Sequence, residues 1–485
     1  LLVSGALLTQ HATAFATNVV IGRALGPGAL GELSVLRSLS AVLLIITPLG
    51  LDAALLKHAS LYQNRQAELG ALTLTLRLLV VGINTALLLL AFWLGPALGT
   101  LYGSIRDFDR LVVLAMAGVV FAADLQISGA LYQAAGRTAR YFFYASYIQY
   151  TMRMILSVAA VAAGGGVLAI VAINTAVAAG TFALMELDRR KLRSRGAGFP
   201  FLKVVPASVH ILSESVWMCG ALLLYNFMRL VDVLVLGLLT TPDVTGQYSA
   251  MSMVAQIIAI YPNAISVTLG PRIAVLYAAG DLDGIRREVG GYLRKASLLG
   301  GFLLGGVAVF GTDLDLVFGS AFAFPLILVV LLAAGWYVSA ILAPLGFVLS
   351  MTGRHRQELG ILAAGSLLLV LCLFAFVPWL KGTGAALAVA ATFVFVNIVR
   401  ARRVIRVLGR NPLSLLHLAP PAAFVGLAAC CSVLGDMLGR RSFLLLFVEC
   451  VAYSVLSFVL YLLLFAHAED HRATLRIPFG RTRAG

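Results

Sequence analysis

Long apolar runs separated by short polar interruptions follow one another along this chain from end to end. Many runs reach about 20 residues, the length that an α-helix needs to cross the hydrocarbon core of a bilayer. The pattern therefore predicts an all-α polytopic membrane protein with about 14 transmembrane helices. In chain order, the predicted helices cover 1–22, 32–57, 67–95, 108–133, 140–163, 165–187, 206–238, 247–277, 290–312, 325–350, 357–378, 384–407, 417–436 and 443–466.

The amino-acid composition supports lipid as the solvent. The 485 residues are 61% hydrophobic and only 12% charged, and the mean hydropathy is +0.97. A soluble domain carries about a quarter charged residues, so this chain lacks the surface that water requires. No nucleotide-binding loop is present, and no polar stretch is long enough for a catalytic domain. We therefore expect neither an enzyme nor a cofactor.

The distribution of basic residues indicates the orientation in the membrane. In a soluble protein the net charge of +15 would point to nucleic acid. Here most of the 36 Lys and Arg fall in every second loop, with Arg77 counted among them. Basic loops stay on the cytoplasmic side of a membrane. The alternation predicts an even number of spans, two cytoplasmic termini and no nucleic-acid partner.

The chain also resembles itself at a spacing of six helices. Gly31 opens the second predicted helix and Gly246 opens the eighth, 215 positions later. Two further pairs have nearly the same offset, namely Pro48 with Pro262 and Gly136 with Gly353. Six spans return the chain to the same membrane side, so the repeats are related by a pseudo-two-fold axis along the membrane normal.

The repeat predicts two six-helix lobes and two additional C-terminal helices. Transporters with parallel repeats bind their substrate between the halves and expose it alternately to each side. The predicted divisions are an N-lobe at 1–187, a basic cytoplasmic linker at 188–205, a C-lobe at 206–410, a terminal helix pair at 411–466 and a basic cytoplasmic tail at 467–485.

Several arginines fall inside or at the ends of the predicted spans. Arg37, Arg153 and Arg229 lie within helices, whereas Arg23 and Arg272 lie at helix ends. Ionisable residues in a membrane are costly and usually face a cavity or a partner. A guanidinium group holds phosphate oxygens through a planar pair of donors. These five residues are candidates for a cationic cavity that binds an anionic head group, although the two at helix ends could instead reach lipid head groups.

Four acidic residues are candidates for ion coupling: Asp52, Asp124, Glu214 and Asp232. An intramembrane carboxyl group can relay a proton or bind a cation, or it can make a structural hydrogen bond. Asp232 follows Arg229 by three positions on one helix face, so these two residues could instead neutralise each other. The sequence leaves these alternatives open.

Several short motifs carry a family resemblance. The segment Gly22–Pro27, followed by Gly31 and Pro48–Asp52, resembles the start of Wzx-type polysaccharide flippases of the MOP superfamily, which are related to MATE exporters and lipid II flippases. Further matches occur in the same order as in that family, at 229–232, 246–248, 262–265, 270–272, 353–354 and 382–386. The resemblance covers roughly residues 1 to 410.

The resemblance implies a function that composition alone does not. It implies a V-shaped pair of lobes that moves undecaprenyl-pyrophosphate-linked oligosaccharide across the bacterial inner membrane for O-antigen, capsule or exopolysaccharide synthesis. Implied partners are the lipid-linked oligosaccharide and membrane lipids, together with a polysaccharide polymerase and glycosyltransferases. The alternatives are a cation-coupled, MATE-like exporter of small molecules and a lipid II flippase.

Overall fold

The computed structural model describes residues 2–46, 66–134, 137–192, 220, 223–409, 419–437 and 443–465. Every regular element within these ranges is helical. The α-helices are α1 (Leu2–Ile46), α2 (Gln66–Leu101), α3 (Phe108–Ala134), α4 (Thr138–Phe142), α5 (Gln149–Ala162), α6 (Val167–Leu192), α7 (223–239), α8 (Pro242–Ala255), α9 (Ile260–Ala278), α10 (Leu282–Phe310), α11 (Asp315–Phe318), α12 (Leu326–Met351), α13 (His355–Leu408), α14 (Ala419–Met437) and α15 (Phe443–Phe465).

Two of these helices each contain two predicted spans. α1 turns sharply at Gly26, where φ is 82° and ψ is 178°, and glycine adopts this conformation without steric cost. α13 turns at Lys381, where φ is 51° and ψ is −127°. The polar gaps expected between the first two spans and between the eleventh and twelfth are therefore kinks rather than open loops.

Two other spans are interrupted along their length. A π-helical segment, Phe143–Ile148, joins α4 to α5, and a 3₁₀ segment, Gln256–Ala259, joins α8 to α9. With each interrupted pair counted as one span and each kinked helix as two, the fourteen predicted spans are confirmed. Among the described residues, seven helices are long and apolar enough to cross a membrane, and α1 and α13 are two of them.

The helices pack as two lobes. In the N-lobe (α1–α6), α1 packs on α3 and α5, while α3 contacts α2 and α6. In the C-lobe (α7–α13), α12 packs on α13, α10 and α9. The terminal pair (α14 and α15) contacts the C-lobe through α10. The last residues of α6 overlap the predicted linker at 188–205, and the rest of that segment lies outside the described residues.

Consecutive spans run antiparallel and so define two faces of the bundle. We call the side where α9 joins α10 and α12 joins α13 the basic face, because the predicted basic loops lie there. The side where α2 joins α3 and α5 joins α6 is the opposite face. Gly164, at the second of these turns, has a φ of 81°, as the tight glycine turn expected there requires.

The two lobes cross at backbone contact on the opposite face. A Cβ atom on Gly31 would overlap the carbonyl oxygen of Pro242, and one on Gly246 would overlap the carbonyl oxygen of Pro27. The 215-position repeat relates Gly31 to Gly246 and Pro27 to Pro242, so it converts one pairing into the other. A contact in which i meets j and j meets i is the signature of a two-fold axis. The predicted pseudo-two-fold thus passes between α1 and α8.

Further contacts close the same face around this crossing. The Tyr102 hydroxyl donates to the carbonyl oxygen of Leu234 in the C-lobe at 3.3 Å. The Arg23 guanidinium donates to two carbonyl oxygens of α11, those of Val317 at 2.7 Å and of Leu316. The lobes are therefore in contact on the opposite face.

We expect Gly31→Ala or Gly246→Ala to lower the closed population by about tenfold, because the added methyl group overlaps a backbone carbonyl that cannot move independently. The measurement is the pulsed-EPR distance between spin labels at Ser104→Cys and Ser320→Cys, which are exposed on the opposite face of different lobes. The five native cysteines are replaced by serine in this background.

Gly82→Ala is the matched control, because a Cβ atom at Gly82 meets nothing within 4 Å. Alanine also stabilises a helix relative to glycine. Equal label distances in Gly31→Ala and Gly82→Ala would show that the crossing does not set the closed arrangement.

Candidate functional site

A cavity of about 350 Å³ lies between the two lobes, on the basic-face side of the crossing. The N-lobe contributes α1 and α3, and the C-lobe contributes α7 and the 3₁₀ segment. Ala41 in its wall lies ten residues beyond Gly31, or about 15 Å along the helix. The cavity is lined by Ala41, Leu44, Ile45, Gln126, Asn226, Arg229, Leu230 and Gln256.

Arg229 brings positive charge into this cavity from α7. Its guanidinium donates to Oε1 of Gln256 at 3.4 Å. It also lies over the rings of Trp336 and Tyr225, at 5.1 Å and 5.9 Å from the centroids. Aromatic faces attract a cation without neutralising it. Gln256 and the two aromatic rings therefore hold the Arg229 guanidinium in place without neutralising its positive charge.

Arg37 and Arg153 form a second cationic group on the N-lobe. Nη1 of Arg37 donates to Oδ1 of Asn18, and Arg153 lies over the ring of Tyr150 at 5.4 Å. Nε2 of Gln10 donates to the Tyr150 hydroxyl at 2.8 Å and so ties α5 to α1. Arg37 lies on the second span, within α1, and Arg153 lies on α5.

The π-helical segment Phe143–Ile148 directly precedes these α5 residues. A π-helical turn contains more residues than an α-helical turn, and such turns are frequent at functional sites. It changes the direction in which all later side chains of the span project. In this register Tyr150 reaches Gln10 of α1, and Arg153 lies one turn further on.

Of the three arginines, Arg229 lines the cavity. Arg37 lies near the C-lobe, because Asn18, which accepts its hydrogen bond, also contacts Met253 of α8. Within the described part of the chain, no carboxylate lies at ion-pair distance from Arg37, Arg153 or Arg229.

Asp124 belongs to a buried ion-pair cluster inside the N-lobe. Its two oxygens accept from Nε and Nη2 of Arg77, at 2.7 Å and 2.6 Å. Arg77 also reaches Glu186 at 3.1 Å, and the Ser128 hydroxyl donates to Asp124 at 3.3 Å. The assignment of Arg77 to a loop is wrong, since its side chain pairs with acidic residues within the helix bundle and is only 7% exposed. The structural alternative for Asp124 fits this arrangement.

Asp232 is held inside the C-lobe by hydrogen bonds and not by an ion pair with Arg229. The Tyr248 hydroxyl donates to one carboxylate oxygen at 2.5 Å, and the backbone N–H of Val233 donates to the other at 2.8 Å. Among the described contacts there is no ion pair between Arg229 and Asp232. The Asp232 carboxylate thus links α7 to α8. The Arg229 side chain lines the cavity.

The structure does not bring the two helix-end arginines to the cavity. Arg23 is engaged by carbonyl groups on the opposite face. Arg272 pairs with Glu288 at 3.4 Å, and its side chain is 65% exposed. Of the acidic candidates, Asp52 and Glu214 lie outside the described residues.

Several residues at the site were missed by the sequence interpretation. Asn18 and Gln256 accept from the cavity arginines, and Trp336 and Tyr225 support one of them. Asn18 and Gln256 could have been found from the sequence as amide side chains within apolar spans, because an unpaired amide in a membrane is costly. The aromatic run that contains Tyr150 is typical of an interfacial belt, and its contact with α1 depends on the π-helical register.

A buried ion pair in the C-lobe was also missed. Arg400 donates from Nε to Oε2 of Glu358 at 3.2 Å and from Nη2 to Oε1. A Cβ atom at Gly346 would lie 3.0 Å from Oε1 of Glu358, so glycine at this point of α12 makes room for the pair. Neither charge faces the cavity.

We expect Asp124→Asn to lower the free energy of unfolding by about 3 kcal/mol, because it weakens a buried ion pair and leaves Arg77 under-compensated. Unfolding by SDS in mixed micelles measures the change. Glu288→Gln removes the same charge from an exposed pair and should cost less than about 1 kcal/mol. Equal losses in the two variants would contradict the structural role of Asp124.

Comparison with solved structures shows the fold. The chain is similar to "Lipid II flippase MurJ, inward closed conformation", with 11% identity, coverage of 98% of this chain and 99% of that one, and a TM-score of 0.72. It is also similar to an inward-facing multidrug resistance MATE family transporter of the MOP superfamily, with 13% identity, coverage of 82% and 95%, and a TM-score of 0.65.

A third similar structure is the MATE transporter VcmN of Vibrio cholerae in its bent form, with 13% identity, coverage of 84% and 97%, and a TM-score of 0.53. No curated protein matches the sequence. A family profile described as "Polysaccharide biosynthesis protein" matches residues 1–276, more than half of the chain. The expected relationship to a polysaccharide biosynthesis family is confirmed by this match. The chain belongs to the polysaccharide biosynthesis protein family.

Proposed function

We propose that this protein is a flippase that moves undecaprenyl-pyrophosphate-linked oligosaccharide across the bacterial inner membrane by alternating access. The observation that carries the proposal is Arg229 in the wall of the inter-lobe cavity, together with Arg37 and Arg153 on the N-lobe, all three without an ion-pair partner in the described part of the chain. A pyrophosphate supplies the missing negative charge and accepts bidentate bonds from guanidinium groups. The family match to polysaccharide biosynthesis agrees with such a substrate.

The positions of the arginines suggest how one anion interacts with both lobes. Arg37 and Arg153 belong to the N-lobe, and Arg229 belongs to the C-lobe. An anion between them contacts both lobes, and it can shift their equilibrium only if it binds the two arrangements unequally. The cavity lies on the basic-face side of the closed crossing, so the described conformation receives its substrate from the basic face.

The basic face is proposed to be cytoplasmic, with both termini on that side. This orientation follows from the concentration of Lys and Arg in the loops of that face. Substrate then moves from the cytoplasmic to the periplasmic leaflet. Glycosyltransferases that build the lipid-linked oligosaccharide, and a polymerase that consumes it, are the proposed partners. The lobe, linker and tail boundaries given above remain part of this proposal.

A cation-coupled exporter is the main alternative, and it requires free carboxylates near the cavity. The described acidic candidates are already engaged, Asp124 by Arg77 and Asp232 by Tyr248. A lipid II flippase would use the same charge complementarity, because its substrate is also a lipid diphosphate. The two flippase proposals differ only in the glycan.

We expect Arg37→Ala, Arg153→Ala and Arg229→Ala each to lower polysaccharide output by about tenfold or more, because each removes a charge-assisted contact with the diphosphate. The variants are expressed in cells whose own copy of the gene is deleted. Surface polymer is then measured at matched membrane levels of the protein.

Arg287→Ala is the control, since that side chain is 74% exposed on α10 and distant from the cavity contacts. It should leave polymer output unchanged. Normal output from all three cavity variants would overturn the proposal. A loss of drug resistance with normal polymer would favour the exporter.

A further inference from the structure

The amide of Asn18 joins Arg37 of the N-lobe to the other lobe. Its Oδ1 accepts from Nη1 of Arg37, and its Nδ2 donates to the sulfur of Met253 on α8 at 3.1 Å. A guanidinium group can only donate, so the amide oxygen must face Arg37 and the amide N–H₂ must face Met253. The orientation of Arg37 thus determines a contact between α1 and α8.

Gln256 makes a corresponding connection for the cavity arginine of the C-lobe. Its Oε1 accepts from Arg229 at 3.4 Å, and its Nε2 donates to the Ser252 hydroxyl at 3.4 Å. Met253 and Gln256 are three positions apart and are therefore neighbours on one helix face. Arg37 is thus connected through Asn18 to the final turn of α8, and Arg229 contacts Gln256, the first residue of the 3₁₀ segment that follows that turn.

α8 connects this turn to the closed crossing. Gly246 meets Pro27 near the first turn of α8, and Met253 lies seven residues later, or about 10 Å along the helix. The 3₁₀ segment Gln256–Ala259 begins directly after α8. A 3₁₀ stretch within a longer helical span often marks a hinge. The final turn of α8 is thus next to a change of helix type.

An anionic ligand competes for these contacts. Without ligand, Arg37 and Arg229 donate to neutral amide oxygens. An anionic oxygen adds Coulombic attraction and can accept two parallel bonds from one guanidinium group, neither of which a neutral amide oxygen provides. An anion that accepts hydrogen bonds from Arg37 and Arg229 therefore releases the amides of Asn18 and Gln256. Arg37 then no longer orients the Asn18 amide toward Met253.

We propose that Asn18 and Gln256 are positioning residues that couple anion binding in the cavity to opening of the opposite face. The empty site holds the final turn of α8 and so favours the closed crossing. The loaded site releases that turn and allows α8 to move about the 3₁₀ segment. This inference rests on the proposed function, because it takes a diphosphate as the ligand that occupies the arginines.

The test uses the full chain in lipid nanodiscs with spin labels at Ser104→Cys and Ser320→Cys in the background without native cysteines. Pulsed EPR gives the closed fraction without ligand and during titration with inorganic pyrophosphate. Asn18→Leu removes the amide and keeps a similar volume. Met253→Leu removes only the sulfur acceptor and should fold even if Asn18→Leu does not. Asn84→Leu is the matched control, because that buried amide donates to Val80 of its own helix.

Without ligand, Asn18→Leu and Met253→Leu should each lower the ratio of closed to open protein by about fivefold, which corresponds to one net hydrogen bond. The double variant should be no more open than either single variant, since both remove the same link. Gln256→Leu should also open the face, whereas Asn84→Leu should not. A closed ratio unchanged from that of the parent in both Asn18→Leu and Met253→Leu would overturn the proposal.

The titration separates coupling from simple destabilisation. In the parent protein, pyrophosphate should lower the closed fraction. In Asn18→Leu the midpoint of binding, followed by isothermal titration calorimetry, should stay within about threefold of the parent, because both cavity arginines remain. The EPR response should lose most of its amplitude. A full-amplitude response in Asn18→Leu would overturn the coupling role.

Failure of the proposed function gives a different result. If the parent protein binds no pyrophosphate, or binds it equally well in Arg37→Ala, the anion site itself is rejected. The ligand-free comparison of Asn18→Leu and Met253→Leu with their control is unaffected by that outcome. It still decides whether Asn18 links the two lobes.

Discussion

The backbone contact between α1 and α8 determines how the rest of this membrane protein is arranged. Because both positions at the crossing are glycine, the two helices are in direct backbone contact, and a carbonyl oxygen occupies the space that a side chain would need. The two lobes touch at the opposite face, and space remains between them toward the basic face. The 350 Å³ cavity lies in that space. The crossing therefore fixes both the closed face and the location of the candidate site.

Buried arginines have different kinds of partner inside the lobes and between the lobes. Within the N-lobe, Arg77 is paired with Asp124 and Glu186, and within the C-lobe Arg400 is paired with Glu358. Such buried pairs offset the cost of removing charge from water. Between the lobes, the described arginines are supported by amides and aromatic rings instead. That support orients a cation and leaves its charge unneutralised, as an anion site requires.

Hydropathy and repeat spacing predicted the number of spans and the relation between the halves, because both depend on composition along the chain. They could not predict the orientation of each side chain around its helix. Arg23 reaches carbonyl groups and Arg272 reaches Glu288, although both were expected at the cavity. Tyr150 reaches α1 through a π-helical register that no simple periodicity reveals. The offset of 215 paired Gly31 with Gly246, but only the structure shows that they meet.

In the proposed alternating-access cycle, the attachment of α14 and α15 to α10 makes the two moving lobes unequal in size. One body has six spans, and the other has six spans plus the terminal pair. When two bodies rotate against each other in a fluid bilayer, the torques are equal, and viscous drag decides how far each one turns. The larger body meets more drag and turns less. Seen from the surrounding lipid, most of the motion therefore belongs to the N-lobe, while the C-lobe and its two appended helices act as the anchor.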